Sequence, residues 1–151
     1  MIELIEYTDN FQPQFYQLNI EWLDKYDLTE SHDLEIMANP QQTIIDKGGF
    51  IWLAKNGNEI VGSAAIINEG HGVYELAKMT VAPASRGQGI SNILIEACIS
   101  KAKEMGAVKL ELFSNHQLKT ALKLYEKHGF TYVDVTNSPF TTADIKMERM
   151  L

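Results

Sequence analysis

The sequence predicts a mixed α/β (α+β) domain whose central sheet has about seven strands. Apolar segments separated by turn signals fill residues 50–81 and indicate three consecutive antiparallel strands. Strand-like and helix-like patterns then alternate over residues 73–135, which is typical of parallel pairing at the centre of a sheet. With the elements at both ends of the chain included, the predicted order is β-α-α-β-β-β-α-β-α-β-β.

The N-terminal elements follow from local signals. Residues 2–7 carry an imperfect apolar alternation and are predicted as a short strand. Asp9 or Asn10 can cap a helix that runs to about Tyr26 with apolar residues at helical spacing. A second, shorter helix follows and ends before Pro40, because the residue preceding a proline disfavours the α conformation.

Turn residues place the next three strands. Asn56-Gly57-Asn58 predicts a hairpin between strands at residues 50–55 and 59–67. Gly70-His71-Gly72 then turns the chain into a strand over residues 73–81. Because short turns join these strands, we expect them to pair antiparallel.

In the second half of the chain, glycines end both predicted helices. A long helix opens after residues 86–89 and stops at Gly106, and a shorter one stops at Gly129. The remaining elements are predicted as a strand at residues 108–113, the shorter helix at residues 118–128, and strands at residues 130–135 and 143–150.

Length and composition indicate one globular domain over residues 1–151. The chain has 151 residues, of which 45% are hydrophobic and 22% are charged, and no linker or repeat divides it. Its single cysteine, Cys98, excludes an internal disulfide and multi-cysteine metal sites. The four histidines show no metal-ligand spacing, so we expect no bound metal.

The distribution of charge bears on partners and location. Three acidic residues in the first ten positions argue against a secretory signal, and no apolar run approaches the roughly 20 residues needed to span a bilayer. With only one cysteine, we therefore expect a cytoplasmic protein that has no membrane partner. The net charge is -7, and residues 1–50 hold ten acidic residues and two basic ones. Because this region would repel a phosphate backbone, we expect no nucleic-acid partner.

The segment that points to chemistry is Arg86-Gly87-Gln88-Gly89-Ile90-Ser91, between a predicted strand and a helix. Glycines let the backbone approach a ligand without Cβ clashes, and the first amides of a helix have no partner within it. These amides and the helix dipole favour an anion, and Arg86 adds positive charge. The Walker pattern is missing, and the dinucleotide pattern fails at Asn92, where its third glycine belongs.

Three runs of sequence together resemble the GNAT superfamily of N-acetyltransferases. They are ELAKMTV at residues 75–81, RGQGIS at residues 86–91 and LYEKHGF at residues 124–130, and the likeness covers about residues 50–135. The GNAT pattern [RQ]-x-x-G-x-[GA] fits Arg86 to Gly89 in its first four positions. Its last position holds Ser91, a small residue that we expect to preserve the site. The predicted element order also agrees with the GNAT fold.

The resemblance implies that acetyl-coenzyme A is the co-substrate and that its pyrophosphate binds the glycine loop. It also implies that the strand before the loop is splayed from its neighbour, pairs with the pantetheine arm and uses a free N–H to polarise the thioester carbonyl. Ordinary pairing of this strand within the sheet is the alternative. The residues implied to bind the coenzyme are Met79, Thr80, Val81, Arg86, Gly87, Gln88, Gly89, Ile90, Ser91, Asn115 and Tyr125.

The resemblance also implies catalytic roles for single side chains. Tyr125 matches a tyrosine near the coenzyme sulfur, where its O–H can protonate the leaving thiolate, and a half-buried core tyrosine is the alternative. Asn115 lies where many relatives have an asparagine that bonds the coenzyme or orients the tyrosine. Glu75 lies where several relatives carry a glutamate base, and an ion-paired or solvent-facing strand residue is the alternative. His116 is a second candidate base.

The function implied by the resemblance is acyl transfer directly from acetyl-coenzyme A to a primary amine. The acceptor is implied to approach the acidic first part of the chain, so we expect a cationic small molecule or peptide amine attracted by Asp24, Asp27 and Asp33. The alternatives are a coenzyme A-binding sensor or interaction module without turnover, and an unrelated α/β phosphate binder. The sequence leaves open the identity of the acceptor, and pairing of two copies through the last strand.

Overall fold

The computed structural model describes all residues, 1–151, as one sheet with helices on both faces. The strands are β1 (Ile2–Glu6), β2 (Phe50–Asn56), β3 (Glu59–Gly70), β4 (Val73–Val81), β5 (Lys109–Ser114), β6 (Thr131–Val133) and β7 (Ile145–Met150). The helices are α1 (Gln12–Lys25), α2 (Ser31–Ala38), α3 (Ile90–Glu104) and α4 (Lys119–Lys127), with short 3₁₀ turns at Asp9–Phe11 and Pro83–Ser85 and a π-helical turn at Gln41–Ile45. None of these helices is long and apolar enough to cross a membrane.

The sheet is mixed, with strand order β1-β2-β3-β4-β5-β7-β6. Strands β1 to β4 pair antiparallel through successive turns, and β4 and β5 form the only parallel pair. The crossover between that parallel pair is α3, as a parallel connection requires. The predicted fold class and the predicted order of elements are therefore confirmed.

The last two strands differ in detail from the sequence prediction. Strand β7 lies between β5 and β6 and is antiparallel to both, so β5 and β6 point the same way without touching. Strand β7 is buried on both faces, at Lys146 on one side and Met147 on the other, whereas β6 is short and mostly exposed. The strand that comes last in the chain, β7, therefore lies inside the sheet, and β6 lies at its edge. Both strands are shorter than the predicted ranges 130–135 and 143–150.

Two hydrophobic clusters cover the two faces of the sheet. One packs α3 and α4 against the sheet through residues such as Leu94, Ile95 and Leu122, and it includes Cys98, which is fully buried. The other packs α1 and α2 through Phe15 and Met37. The helices thus form one outer layer on each face of the sheet, and β4 and β5 lie between the two layers.

A β-bulge interrupts β4 in the middle of the sheet. Ser63 pairs with Thr80 and Ala65 pairs with Ala77, so two residues of β4, Lys78 and Met79, lie opposite one residue of β3. Lys78 adopts a left-handed backbone with φ of 51°, which a non-glycine residue rarely does. The bulge reverses the alternation of side chains along β4, since the extra residue shifts the period of two.

Buried polar side chains from α1 and β3 hold this bulge in place. Ser63 donates a hydrogen bond from Oγ to the carbonyl oxygen of Lys78, 2.7 Å away. Asn19 donates from Nδ2 to Ser63 Oγ at 3.2 Å and to the carbonyl oxygen of Phe15 at 2.9 Å. Ser63 is fully buried and Asn19 is 2% exposed, so water cannot replace these bonds easily.

Replacing Ser63 by alanine should therefore destabilise the fold. The substitution leaves the Lys78 carbonyl without its donor, and an unsatisfied buried group costs about 1–3 kcal/mol. We expect a lower melting temperature in thermal unfolding. Ser100→Ala is the matched control, because Ser100 is exposed on α3 and alanine is the better helix former. Equal melting temperatures for the two variants would contradict this role of Ser63.

Candidate active site

The candidate site begins where β4 and β5 separate. The two strands pair only from Val73 to Glu75 on β4 and from Lys109 to Glu111 on β5. Beyond these residues β4 has no neighbour on its β5 side, and its backbone groups there face a cleft of about 490 Å³. The cleft is lined by Met79, Thr80 and Val81, the residues of the strand that the family resemblance implies to be splayed from its neighbour.

The loop between β4 and α3 forms one end of the cleft. Gly87 and Gly89 have φ of 79° and 77°, in the left-handed region that glycine enters without strain, and no atom lies within 4 Å of where a Cβ would be. Gly89 caps α3 with no side-chain hydrogen bond, so the amides that follow it have no partner. The loop therefore offers free N–H groups at the positive end of a helix of 15 residues.

Basic side chains add positive charge around these amides. Arg86 holds its guanidinium carbon 5.1 Å from the ring centre of Trp22 and donates from Nε to the carbonyl oxygen of Val81 at 3.2 Å. Lys123 and Lys127 of α4 line the opposite side of the cleft. The cleft thus combines unpaired amides with three cationic side chains, which is the chemistry that a polyphosphate requires.

A smaller cavity of about 120 Å³, here called the inner cavity, continues from the cleft towards α1 and α2. Trp22, Met79, Leu118 and Tyr125 line both spaces, so they mark the junction. The cleft and the inner cavity form one path that leads from the glycine loop to the splayed part of β4.

Tyr125 projects from α4 into this junction. Its ring packs edge to face against Phe130, with 6.1 Å between the ring centres. Burial raises the pKa of Tyr125 to about 12, and no neighbouring charge contributes to the shift. The hydroxyl is therefore neutral at physiological pH and can donate a hydrogen bond.

Glu75 is the last residue of β4 that pairs with β5, and it is only 4% exposed. Burial, followed by the repulsion of Glu69, raises the pKa of the Glu75 carboxyl to about 8, although Lys78 opposes this shift. The side chain lines the inner cavity. A buried carboxyl whose pKa lies near the pH of the solution can take up and release a proton, which is the requirement for a general base.

Asn115 lies just after β5 and lines the inner cavity, not the larger cleft. Its Nδ2 donates to the carbonyl oxygen of Thr142 at 2.8 Å, and its Oδ1 accepts from the backbone N–H of Gln117 at 3.0 Å. Both ends of the amide are thus engaged by the protein. In this state the side chain fixes the segment between β6 and β7 against the end of β5.

The remaining predicted residues differ in how closely they approach these spaces. Arg86, Gly87, Gly89, Ile90 and Ser91 line the cleft, whereas Gln88 is exposed in the loop and its side chain does not. The side chain of His116 is 72% exposed and pairs with Asp144, and it lines none of the three main cavities. The structure therefore does not bring His116 to the site as a base.

An ion pair that sequence reasoning missed closes the inner cavity on the α2 side. Lys78 pairs with Asp33, and both side chains are almost fully buried. The Lys78 ammonium also lies 5.3 Å from the ring centre of Phe140. Because Asp33 is neutralised in this pair, it does not supply the free charge expected of it for attracting a cationic ligand.

The cap of α2 fixes the same wall. Glu30 and Asp33 form a capping box at the start of α2. The Glu30 carboxylate also accepts hydrogen bonds from the backbone N–H groups of Thr141 and Thr142, at 3.0 and 2.9 Å. Helix α2, the bulge of β4 and the segment before β7 are therefore held together around the inner cavity.

The structure contains no cluster of metal-ligating side chains. No three histidine, cysteine, aspartate or glutamate side chains are grouped closely enough to hold a metal ion.

Four further residues complete the site, and none of them was identified from the sequence, because their positions depend on contacts between elements distant in the chain. They are Trp22, Lys78, Lys123 and Lys127.

Comparison with known proteins is consistent with this geometry. The chain is 32% identical over 96 residues to the uncharacterized N-acetyltransferase YjgM of Escherichia coli (strain K12), and the match covers 62% of this chain and 58% of that protein. The chain thus spans less than two thirds of the length of this curated relative.

Solved structures share the fold at low sequence identity. A GNAT-family acetyltransferase from Staphylococcus aureus MU50 superposes with a TM-score of 0.92 at 20% identity over 99% of both chains. The PaiA N-acetyltransferase of Thermoplasma acidophilum, solved in complex with coenzyme A, superposes with a TM-score of 0.78 at 15% identity, covering 100% of this chain and 99% of that one. The acetyltransferase (GNAT) family model matches residues 7–130. Since this match covers most of the sequence, the chain belongs to the GNAT family of acetyltransferases.

Proposed function

We propose that the protein is an N-acetyltransferase that moves an acetyl group directly from acetyl-coenzyme A to a primary amine. The observation that carries the proposal is the continuous path from the free amides after Gly89, along the unpaired edge of β4, to Tyr125 and Glu75. A coenzyme with a diphosphate at one end and a thioester at the other matches this order of groups. The relatives and the coenzyme A complex described above support the same assignment.

The coenzyme would be held mainly by backbone. Its pyrophosphate would accept hydrogen bonds from the amides of the 86–91 loop, with Arg86 and Lys123 nearby as counter-charges. Its pantetheine arm would pair with Met79 and Val81 along the side of β4 that β5 leaves free. An N–H on that edge would then stabilise the negative charge that develops on the thioester oxygen.

The proton transfers follow from the pKa values of two side chains. An attacking amine must be neutral, and Glu75, with a pKa of about 8, would take its proton directly or through water. The amine nitrogen then bonds to the thioester carbon, and the carbon–sulfur bond breaks. Tyr125, still protonated because its pKa is about 12, would donate its hydroxyl proton to the departing thiolate. One amide and one free thiol result.

The deciding experiment measures thiol release from acetyl-coenzyme A in the presence of a panel of amines. Release that depends on an amine supports the enzyme. Tight coenzyme binding without turnover on any amine would favour the alternative, a non-catalytic coenzyme A sensor on the same scaffold.

Coenzyme binding should stabilise the fold in a way that depends on Gly89. At about a hundredfold excess over its Kd, acetyl-coenzyme A adds ~2.7 kcal/mol of stability, which should raise the melting temperature by several degrees. Gly89→Ala should largely remove this shift, because the added methyl group would project into the open space where we propose that the phosphate approaches the backbone.

Gly57→Ala is the matched control for this measurement. Gly57 also has a left-handed φ, of 62°, with no atom near its Cβ position, so both variants carry the same backbone strain. Only the Gly89 variant should lose the coenzyme shift. If simple nucleotides produced the same shift as acetyl-coenzyme A, the protein would be a general phosphate binder instead.

Removing the hydroxyl of Tyr125 should impair turnover but not coenzyme binding. We expect Tyr125→Phe to lower kcat by about a hundredfold or more, which is the usual contribution of a general acid. The Kd for acetyl-coenzyme A should stay within about twofold of the wild-type value, since the ring remains in place. Tyr132→Phe, on the exposed edge strand β6, is the control and should leave both quantities unchanged. An unaltered kcat in Tyr125→Phe would exclude its role as the acid.

The role of Glu75 should be visible in the pH dependence of the reaction. Below pH 8 the carboxyl is mostly protonated and cannot accept a proton, so the wild-type rate should rise as the pH increases through about 8. Glu75→Gln should lose about a hundredfold in kcat/KM above pH 8, and the difference should narrow at lower pH. Glu59→Gln, exposed at the other end of the sheet, controls for the change in net charge. Parallel pH profiles for wild type and Glu75→Gln would show that another group is the base.

A further inference from the structure

Ser63, in the middle of β3, lines none of the three main cavities, yet it bonds directly to the strand that opens the site. Its hydroxyl donates to the carbonyl oxygen of Lys78 at 2.7 Å, and the residue is fully buried. This carbonyl belongs to one of the two residues of the β4 bulge, and Met79 is the other. A change at Ser63 can therefore reach the reaction only through this part of the β4 backbone.

The bond from Ser63 fixes the direction of the peptide group between Lys78 and Met79. All peptide bonds of the chain are trans, and in a planar trans peptide the C=O and the N–H that follows it point in opposite directions. The Lys78 carbonyl points to Ser63, which lies on β3 and bonds to α1. The N–H of Met79 therefore points away from β3 and α1.

The direction away from β3 and α1 leads to the candidate site. Met79 has no partner residue in β3, because the register passes from Ala77 directly to Thr80. It has none in β5 either, since the pairing of β4 with β5 ends at Glu75. Met79 lines both the cleft and the inner cavity, at the junction to which Tyr125 also belongs. Its N–H is thus the donor on β4 that is directed to the place where the thioester would lie.

Asn19 of α1 determines where the single hydroxyl proton of Ser63 goes. Its Nδ2 group donates to the carbonyl oxygen of Phe15 at 2.9 Å and to Ser63 Oγ at 3.2 Å. Because a carbonyl oxygen can only accept, the amide nitrogen of Asn19, and not its oxygen, faces both partners. The serine oxygen accepts this bond and keeps its own proton for the Lys78 carbonyl.

The backbone at Lys78 needs this support. Its φ of 51° lies in the left-handed region, which is unfavourable for a residue with a Cβ atom. A return of Lys78 to an extended backbone would relieve the strain and redirect the peptide group that follows it. The bond from Ser63 opposes that return and so keeps the N–H of Met79 in one direction.

We propose that Ser63, oriented by Asn19, is a positioning residue that aims the N–H of Met79 at the thioester oxygen of the bound coenzyme. Ser63 touches neither the coenzyme nor the acceptor, and it acts through the peptide group between Lys78 and Met79. This inference rests on the proposed acetyl transfer. It adds to that proposal the donor on β4 and the two side chains that aim it.

The test measures the thioester carbonyl stretch of acetyl-coenzyme A, labelled with carbon-13 at this carbonyl, by infrared difference spectroscopy of the complex. A hydrogen bond from an N–H weakens the C=O bond, so binding to the wild-type protein should lower the frequency. Ser63→Ala should lose most of this lowering, whereas Ser63→Thr, which keeps a hydroxyl, should retain it. Asn19→Ala should lose an intermediate part, since the hydroxyl of Ser63 remains but is no longer oriented.

The same variants should separate kcat from KM. Removal of one oxyanion donor typically costs about a hundredfold in kcat, and we expect a misdirected donor in Ser63→Ala to cost about tenfold or more. The KM for acetyl-coenzyme A should stay within about twofold, because the loop of residues 86–91 is unaltered. Ile66→Val is the control for lost stability, since Ile66 is buried on the same strand but does not bond to Lys78. Its kcat and carbonyl frequency should equal those of the wild type.

The possible results separate this inference from the proposed function. An unchanged carbonyl frequency in coenzyme-bound Ser63→Ala would overturn the positioning role, and so would equal losses of kcat in Ser63→Ala and Ile66→Val. If Ser63→Ala does not fold, a wild-type frequency in Asn19→Ala overturns the role instead. If no amine is acetylated while the frequency still depends on Ser63, the proposed transfer fails and the aiming of the Met79 N–H stands.

Discussion

The whole site depends on the loss of pairing between β4 and β5 beyond Glu75. If the strands stayed paired to their ends, the backbone groups of Met79 and Thr80 would be used within the sheet and the cleft would be closed. The bulge in β4 favours the separation, because an extra residue bends and twists the strand locally. Ser63 and Asn19 hold this bulge from the α1 side. A buried hydrogen-bond network on one face of the sheet thus determines which backbone groups are free at its opened edge.

The same bulge also shapes the α2 side of the site. The left-handed backbone of Lys78 accompanies a side chain that reaches α2 and pairs with Asp33. A buried ion pair gives little net stability, since both groups lose their water, and its main effect here is to fix one relative position of β4 and α2. Glu30 extends this constraint to the segment before β7 through its bonds to Thr141 and Thr142. One extra residue in β4 therefore links the opened edge with the α2 side of the inner cavity.

Sequence reasoning worked where local chemistry determines the structure. Gly87 and Gly89 have the left-handed φ that such a loop requires, and the hairpin at Gly57 and the helix stop at Gly106 follow from the same property of glycine. The pairing of β7 with β5 and the pairing of Lys78 with Asp33 could not be predicted, because each joins segments more than 30 residues apart. The carboxyl neighbours of Glu75 were missed for a related reason. Glu69 and Glu111 come from β3 and β5, and they look like ordinary charged positions when each strand is considered alone.

The burial of Glu75 connects the electrostatics of the site with its chemistry. In the absence of a cation the carboxyl stays protonated at neutral pH, because burial and the neighbouring carboxylates of Glu69 and Glu111 raise its pKa. In that form it cannot take a proton from an amine. An amine that enters the inner cavity in its charged form would place a positive charge beside the carboxyl and lower the pKa of Glu75. By linkage, the ionised carboxylate would then bind the ammonium more tightly. The charge of the acceptor would thus prepare the base that removes its proton, which gives a physical reason for a buried carboxyl to line the inner cavity.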